Sequence, residues 1–188
     1  MWLLISGLCV WVAVHSFPAV AVEQRARLVR NLGPGPYKGL FALGILISII
    51  LIVLGWRSTE PVFLYQLPAA TRHLTYLLVL ITFVLFVAAR TRNSIKRYLR
   101  HPQLTGVVLW SIGHLLVNGD SRSLILFGVL GLWAILEMVM INRREGVRVK
   151  PEPVTVTRNL AVIIAGVVLY AVLLWLHPWI AGVRLVPA

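Results

Sequence analysis

The sequence predicts an all-α polytopic membrane protein, a bundle of six transmembrane helices. Three observations carry that expectation. The chain is 59% hydrophobic and 13% charged, where an ordinary soluble domain is about 25% charged. Its mean hydropathy is +0.87. Its apolar residues fall in six runs, near 1–22, 37–56, 71–89, 103–118, 123–142 and 159–177, each close to the roughly 20 residues a helix needs to cross a bilayer. All six are read as one integral membrane domain over residues 1–188.

The first run has no charge before Glu23. A signal peptide carries basic residues ahead of its apolar core, so this run is expected to be a retained span. It holds His15 and Pro18, and the polar stretch Glu23–Arg30 is expected to prolong its helix as far as Asn31-Leu-Gly-Pro. The second run has no ionisable residue after Lys38 and is expected to be structural. A loop with Pro61 and Pro68 comes next, whose Phe63 and Tyr65 suit the headgroup level. The third run starts beside Arg72-His73, where His73 is solvated.

A basic connector, Arg90–Arg100, leads into the fourth run through Arg100-His101-Pro102. Proline is tolerated there because the first turn of a helix has no use for its missing N–H. From Leu104 to Val117 the one ionisable group is His114. Asn118-Gly119-Asp120-Ser121 is a turn into the fifth run, which contains Glu137. A loop with Pro151 and Pro153 precedes the sixth run, which ends at His177-Pro178-Trp179.

The net charge of +12 would suggest nucleic acid in a soluble protein. Here the basic residues lie between apolar runs, so the expected partners are anionic membrane lipids and not nucleic acid. Loops one, three and five hold most of the Lys and Arg residues. The positive-inside rule then places those loops in the cytoplasm and both termini outside. The lone Cys9 excludes an intrachain disulfide.

Away from the ends of the runs lie three histidine or acidic side chains: His15, His114 and Glu137. Such groups in hydrocarbon mark functional sites by default. Measured from Arg25 and from Arg100, the two imidazoles reach similar depth if each helix is continuous, about 15 and 20 Å from the basic side. Two imidazoles at matched depth suit a haem iron, with Gly7, Gly106 and Gly113 as small positions beside a flat ligand; a helix-packing role for each His is the alternative. His101 and His114 lie about 140° apart round their helix and cannot readily serve one centre. Glu137 is expected to pair with Arg90, Arg97 or His101, or else to handle protons. His101 and Glu137 are thus candidates for catalysis, and His15 and His114 for cofactor and metal binding.

Four segments together carry a family resemblance: His15-Ser16, Arg100-His101-Pro102-Gln103-Leu-x-Gly106, Leu109-Trp110-x-x-Gly113-His114-Leu115 and Asn118-Gly119-Asp120. The chain resembles the NnrU family, bacterial membrane proteins first met beside nitrite and nitric oxide reductase genes, which includes the plant 15-cis-zeta-carotene isomerase. That resemblance implies a place in the bacterial inner membrane and haem b held by His15 and His114. It also implies redox-gated cis–trans isomerisation of an apolar, lipid-soluble substrate, or electron transfer linked to nitrogen-oxide metabolism. One departure is Ser111, where plant enzymes carry a Cys one turn before the histidine. Arg100-His101-Pro102-x-x-x-Gly106 also resembles the motif of isoprenylcysteine and phospholipid methyltransferases, which implies S-adenosylmethionine and promotes His101, Glu137 and Glu145. A non-enzymatic assembly or transport factor is the third expectation.

Overall fold

A computed structural model describes residues 1–182; the tail beyond, with the Arg184 counted for orientation, lies outside the described residues. The described chain is helical, with helices α1 (Trp2–Val20), α2 (Val22–Leu32), α3 (Pro34–Ser58), α4 (Thr71–Arg90), α5 (Ile95–Tyr98), α6 (Pro102–Leu115), α7 (Ser121–Glu145) and α8 (Val156–Ala181). Five of them, α1, α3, α4, α7 and α8, are long and apolar enough to cross a membrane. The expected sixth span is shorter than the sequence suggested. Helix α6 has 14 residues, about 21 Å of rise against a hydrocarbon core of about 30 Å. Pro102 fixes its start. Past Leu115 the chain leaves the helix to pair with another loop.

That loop comes after α3. The amides of Leu64 and Tyr65 donate to the carbonyl of Gly119 at 2.8 and 3.1 Å, the amide of Ser121 donates to the carbonyl of Val62 at 2.9 Å, and the Tyr65 hydroxyl donates to the carbonyl of Leu115 at 2.6 Å. Tyr65 thus satisfies the end of α6 and is not simply a headgroup aromatic. A Cβ on Gly119 would run into the Tyr65 carbonyl, so only glycine fits here. Asp120 caps α7 by accepting from the amides of Arg122 and Ser123. Arg122 lies 4.3 Å from the Trp56 ring centroid and donates to the carbonyls of Trp56 and Thr59. A cation there satisfies the carbonyls that end α3.

The expected extension of the first helix does not occur. Helix α1 ends at Val20, Ala21 takes φ −108° and ψ 55°, and α2 restarts at Val22. Pro18 lies one turn from that end and removes a backbone donor. Helix α2 has no buried residue and mixes exposed Val22, Leu28 and Leu32 with Arg25, Arg27 and Arg30, the character of a helix lying in an interface.

The principal helix pairings are α3 with α1, α1 with α7, α7 with α6, α6 with α4, and α4 with α8. Helices α3 and α4, consecutive along the chain, are not a principal pair, and neither are α7 and α8. The α4–α6 seam shows how the register is set. Thr75 donates to the carbonyl of Gly113 at 2.9 Å, and Thr82 shares its one proton between the carbonyl of Gly106 on α6 at 3.0 Å and that of Leu78 on its own helix at 2.9 Å. The two threonines are seven positions apart, and so are the two glycines; antiparallel helices bring both pairs together at once. A Cβ on Gly106 would lie 2.8 Å from the Phe86 ring, so the close approach needs glycine.

Replacing Thr82 by Val keeps the shape and removes the interhelical donor. It is expected to lower stability by about 0.5–1.5 kcal/mol, and Gly106→Leu by more, read from reversible unfolding in mixed micelles. Thr82→Val with wild-type stability would show that the seam does not depend on the hydroxyl.

Candidate functional site

The two intramembrane histidines are held in the same way. His15 Nδ1 lies 3.0 Å from the carbonyl of Trp11, and His114 Nδ1 lies 2.9 Å from the carbonyl of Trp110. A carbonyl oxygen only accepts, so Nδ1 carries the proton and donates. Nε2 of the neutral ring is left with a bare lone pair. A hydrogen bond of this kind, on the ring nitrogen away from the metal, fixes the tautomer and direction of metal-ligating imidazoles. Aromatic rings complete each holder. His15 stacks on Trp11 at 4.0 Å between centroids and meets Trp133 and Phe41 edge-on at 5.2 and 5.9 Å. His114 stacks on Phe127 at 4.5 Å and lies 4.8 Å from Trp110.

Helix α7 is the wall both histidines lean on. It meets α6 along Phe127, Gly131, Met138, Asn142 and Glu145. It meets α1 along Trp133, Glu137 and Arg144. With 3.6 residues per turn these stripes lie roughly 120° apart round α7. At interaxial distances of about 8–10 Å this sets α1 and α6 roughly 14–17 Å apart. That spacing suits a flat group between them. The levels do not match. His15 rests on Trp133 and His114 on Phe127, six positions and about 9 Å of rise apart. The depth match expected from the sequence assumed a helix continuous from His15 to Arg25, and the break at Ala21 removes that assumption. His15 lies about 7.5 Å from the end of α1 and His114 about 18 Å from the start of α6. Each imidazole has the bare nitrogen that a metal would need; a single iron held by both would require α1 and α6 to slide along α7.

The glycines expected beside a ligand serve helix packing. A Cβ on Gly7 would lie 2.7 Å from the Ile52 amide nitrogen of α3. Gly106 and Gly113 face Phe86 and Val79 of α4. Other groups near the histidines carry unmet polar atoms: Trp11 Nε1, Trp133 Nε1 and Ser111 Oγ are buried and have no hydrogen-bond partner among the described residues. Ser111 faces Gly131 of α7. Buried unpaired donors mark places where a ligand or water is wanted.

Glu137 is 8% exposed. Its hydrogen-bond partner is Ser16, the neighbour of His15, whose hydroxyl donates at 3.2 Å, and not Arg90, Arg97 or His101. Pro18, two residues on, accepts from Arg144 at 3.0 Å. The inner turns of α1 and α7 are therefore tied together. His101 Nε2 lies 2.9 Å from Asn142 Oδ1, and Arg100 donates to the Gly146 carbonyl at 2.8 Å and pairs with Glu145 at 3.2 Å. The Arg-His-Pro motif thus latches α6 to the end of α7. His73 is exposed, as expected. No group of three or more His, Cys, Asp or Glu suited to a metal occurs among the described residues.

Sequence reasoning places Trp110 in the family motif but gives neither it nor Trp11 a role beside histidine, although Trp-x-x-x-His occurs at both sites. Trp133 and Phe127 have no such local signal. The profile of the family described as NnrU protein matches residues 3–185. No curated protein and no solved structure matches the chain.

Ser16→Ala leaves the buried Glu137 carboxyl without its hydroxyl partner and is expected to cost about 1–3 kcal/mol. Adding Glu137→Leu removes the orphaned group and is expected to recover much of that loss, measured by unfolding in mixed micelles. A double variant less stable than Ser16→Ala would refute the pairing.

Proposed function

The chain belongs to the NnrU protein family, and from that premise we propose that it is a haem-binding membrane protein in which His15 and His114 would hold haem b through Nε2, once α1 and α6 slide along α7 to bring the two imidazoles level. Its work is redox-gated cis–trans isomerisation of a lipid-soluble substrate, or electron transfer linked to nitrite and nitric oxide metabolism. The observation that carries this reading is the identical mounting of the two imidazoles, each with Nδ1 bound to the carbonyl of a tryptophan one turn earlier. When bound, haem supplies an iron that changes oxidation state by one electron, tuned by its axial ligands and the polarity around it.

The chain's own groups have definite tasks in this reading. The Trp11 and Trp110 carbonyls hold the imidazole tautomer. Trp133, Phe41 and Phe127 exclude water around the rings. The Ser16 hydroxyl fixes the buried Glu137 carboxyl on the basic-end side of His15. Loops one, three and five face the cytoplasm, and the membrane is the bacterial inner membrane, in line with the placement of Lys and Arg.

A second reading has its own observation. Arg100 and His101 meet Glu145 and Asn142 at the end of α7, the contacts a methyltransferase motif would need. There the protein is a lipid- or isoprenoid-directed enzyme using S-adenosylmethionine. Binding of that cofactor is then abolished by His101→Ala and untouched by His114→Ala.

The deciding experiment is the absorption spectrum of the protein purified from membranes, oxidised and reduced. A haem spectrum is expected, lost in His15→Ala and in His114→Ala and kept in His101→Ala. Loss in one histidine variant alone marks a single axial ligand and overturns the shared iron. Wild-type protein without haem overturns the reading and leaves the methyltransferase, or an assembly or transport factor.

A further inference from the structure

Away from the histidines, at the basic end of the bundle, the structure has a cavity of about 450 Å³. That is within the roughly 300–1,000 Å³ of small-ligand sites. One wall is the connector after α4, with Arg92 and Lys96; the other is the loop and first turn before and within α8, with Pro151, Glu152, Pro153 and Arg158. Three cations and one carboxylate therefore line it. Neither the Arg92 nor the Arg158 guanidinium has a hydrogen bond or ion pair among the described residues. Lys96 donates to the Ala89 carbonyl at 2.9 Å, which leaves two of its three donors.

The walls are stapled together. Asn93 is 2% exposed and donates to the carbonyls of Ala88 and Thr91. The Ser94 amide donates to Asn159 Oδ1 at 2.9 Å, and Asn159 Nδ2 and the Val154 amide donate to Ser94 Oγ. Arg97 donates to the Pro151 carbonyl at 3.3 Å. Like charges are thus held across a preformed cavity, an arrangement that an anion relieves. Ala161, Ala165 and Leu169 follow Arg158 by three, seven and eleven positions, so they share its face of α8, and all three are exposed apolar residues where an acyl chain can lie.

We propose that this cavity binds the phosphate of an anionic phospholipid headgroup, with Arg92, Lys96 and Arg158 as its donors. Basic pockets between transmembrane helices commonly take such headgroups. The exposed apolar face that adjoins the cations favours a lipid over free phosphate.

The test uses the full chain in detergent. Phosphatidylglycerol, phosphatidylcholine and inorganic phosphate are titrated separately, with binding read by native mass spectrometry and thermal shift. Phosphatidylglycerol is expected to bind more tightly than phosphatidylcholine. Arg92→Gln and Arg158→Gln are each expected to weaken it about five-fold. Arg27→Gln and Arg143→Gln, exposed cations outside the cavity, are expected to leave it unchanged. Helical circular dichroism, unchanged in all four, keeps misfolding separate. Equal loss in the outside variants would show diffuse attraction, and equal affinity for phosphatidylcholine would show no headgroup site. Inorganic phosphate binding as tightly as phosphatidylglycerol would make the ligand free phosphate. Each of these three results overturns the proposal.

Discussion

Inside hydrocarbon a polar side chain has no water to turn to, so it must find its partner within the protein. For two threonines and two histidines of this chain the partners are backbone carbonyls. Thr75 and Thr82 reach across to carbonyls of α6, and His15 and His114 reach back to carbonyls one turn earlier on their own helices. The same constraint thus has two outcomes. A hydroxyl aimed at a neighbouring helix locks register. An imidazole aimed at its own helix is oriented, with its second nitrogen left for other chemistry.

Helix α7 sets the positions of its neighbours. Its two stripes receive α1 and α6 about 120° apart, so the notch between those helices is a consequence of residue spacing along one element. Polar groups close the bundle at both ends. At one end Asp120 caps α7, and Arg122 closes α3 over the Trp56 ring. At the other, Glu137 and Arg144 tie α7 to α1, while Asn142 and Glu145 tie it to α6. The aromatic and histidine cluster lies between these closures, in the most apolar stretch.

The spans were legible because hydropathy is a local property. Five of the six expected helices are long enough to cross, and their ends lie within a few residues of the runs read from sequence. The exceptions have local causes that only contacts reveal. Helix α6 stops at Leu115 because the segment beyond it pairs with the Val62–Tyr65 loop. The first helix breaks at Ala21, near a proline that was visible but whose effect at that position was not. His15 and His114 were legible as candidates, since charge-bearing groups in apolar runs stand out. The match of their depths was not, because it depended on a helix being continuous. The partner of Glu137 was also out of reach. A serine 121 positions away has no signature that separates it from the nearer cations.

By itself, the sequence determined that this chain lives in lipid, where its helices begin and end to within a turn or so, which end is basic, and which side chains are anomalous in hydrocarbon. Each of these depends on composition and on order along a single helix. The tertiary structure alone decided that α3 avoids α4 and α7 avoids α8, that Gly7, Gly106 and Gly113 serve packing, and that the two imidazoles rest at different levels of α7. The reason is physical. Lipid solvates any apolar helix face about equally well, so hydrophobicity does not choose neighbours. The choice falls to shape, close approach at small residues and a few hydrogen bonds, which exist only once distant segments have met.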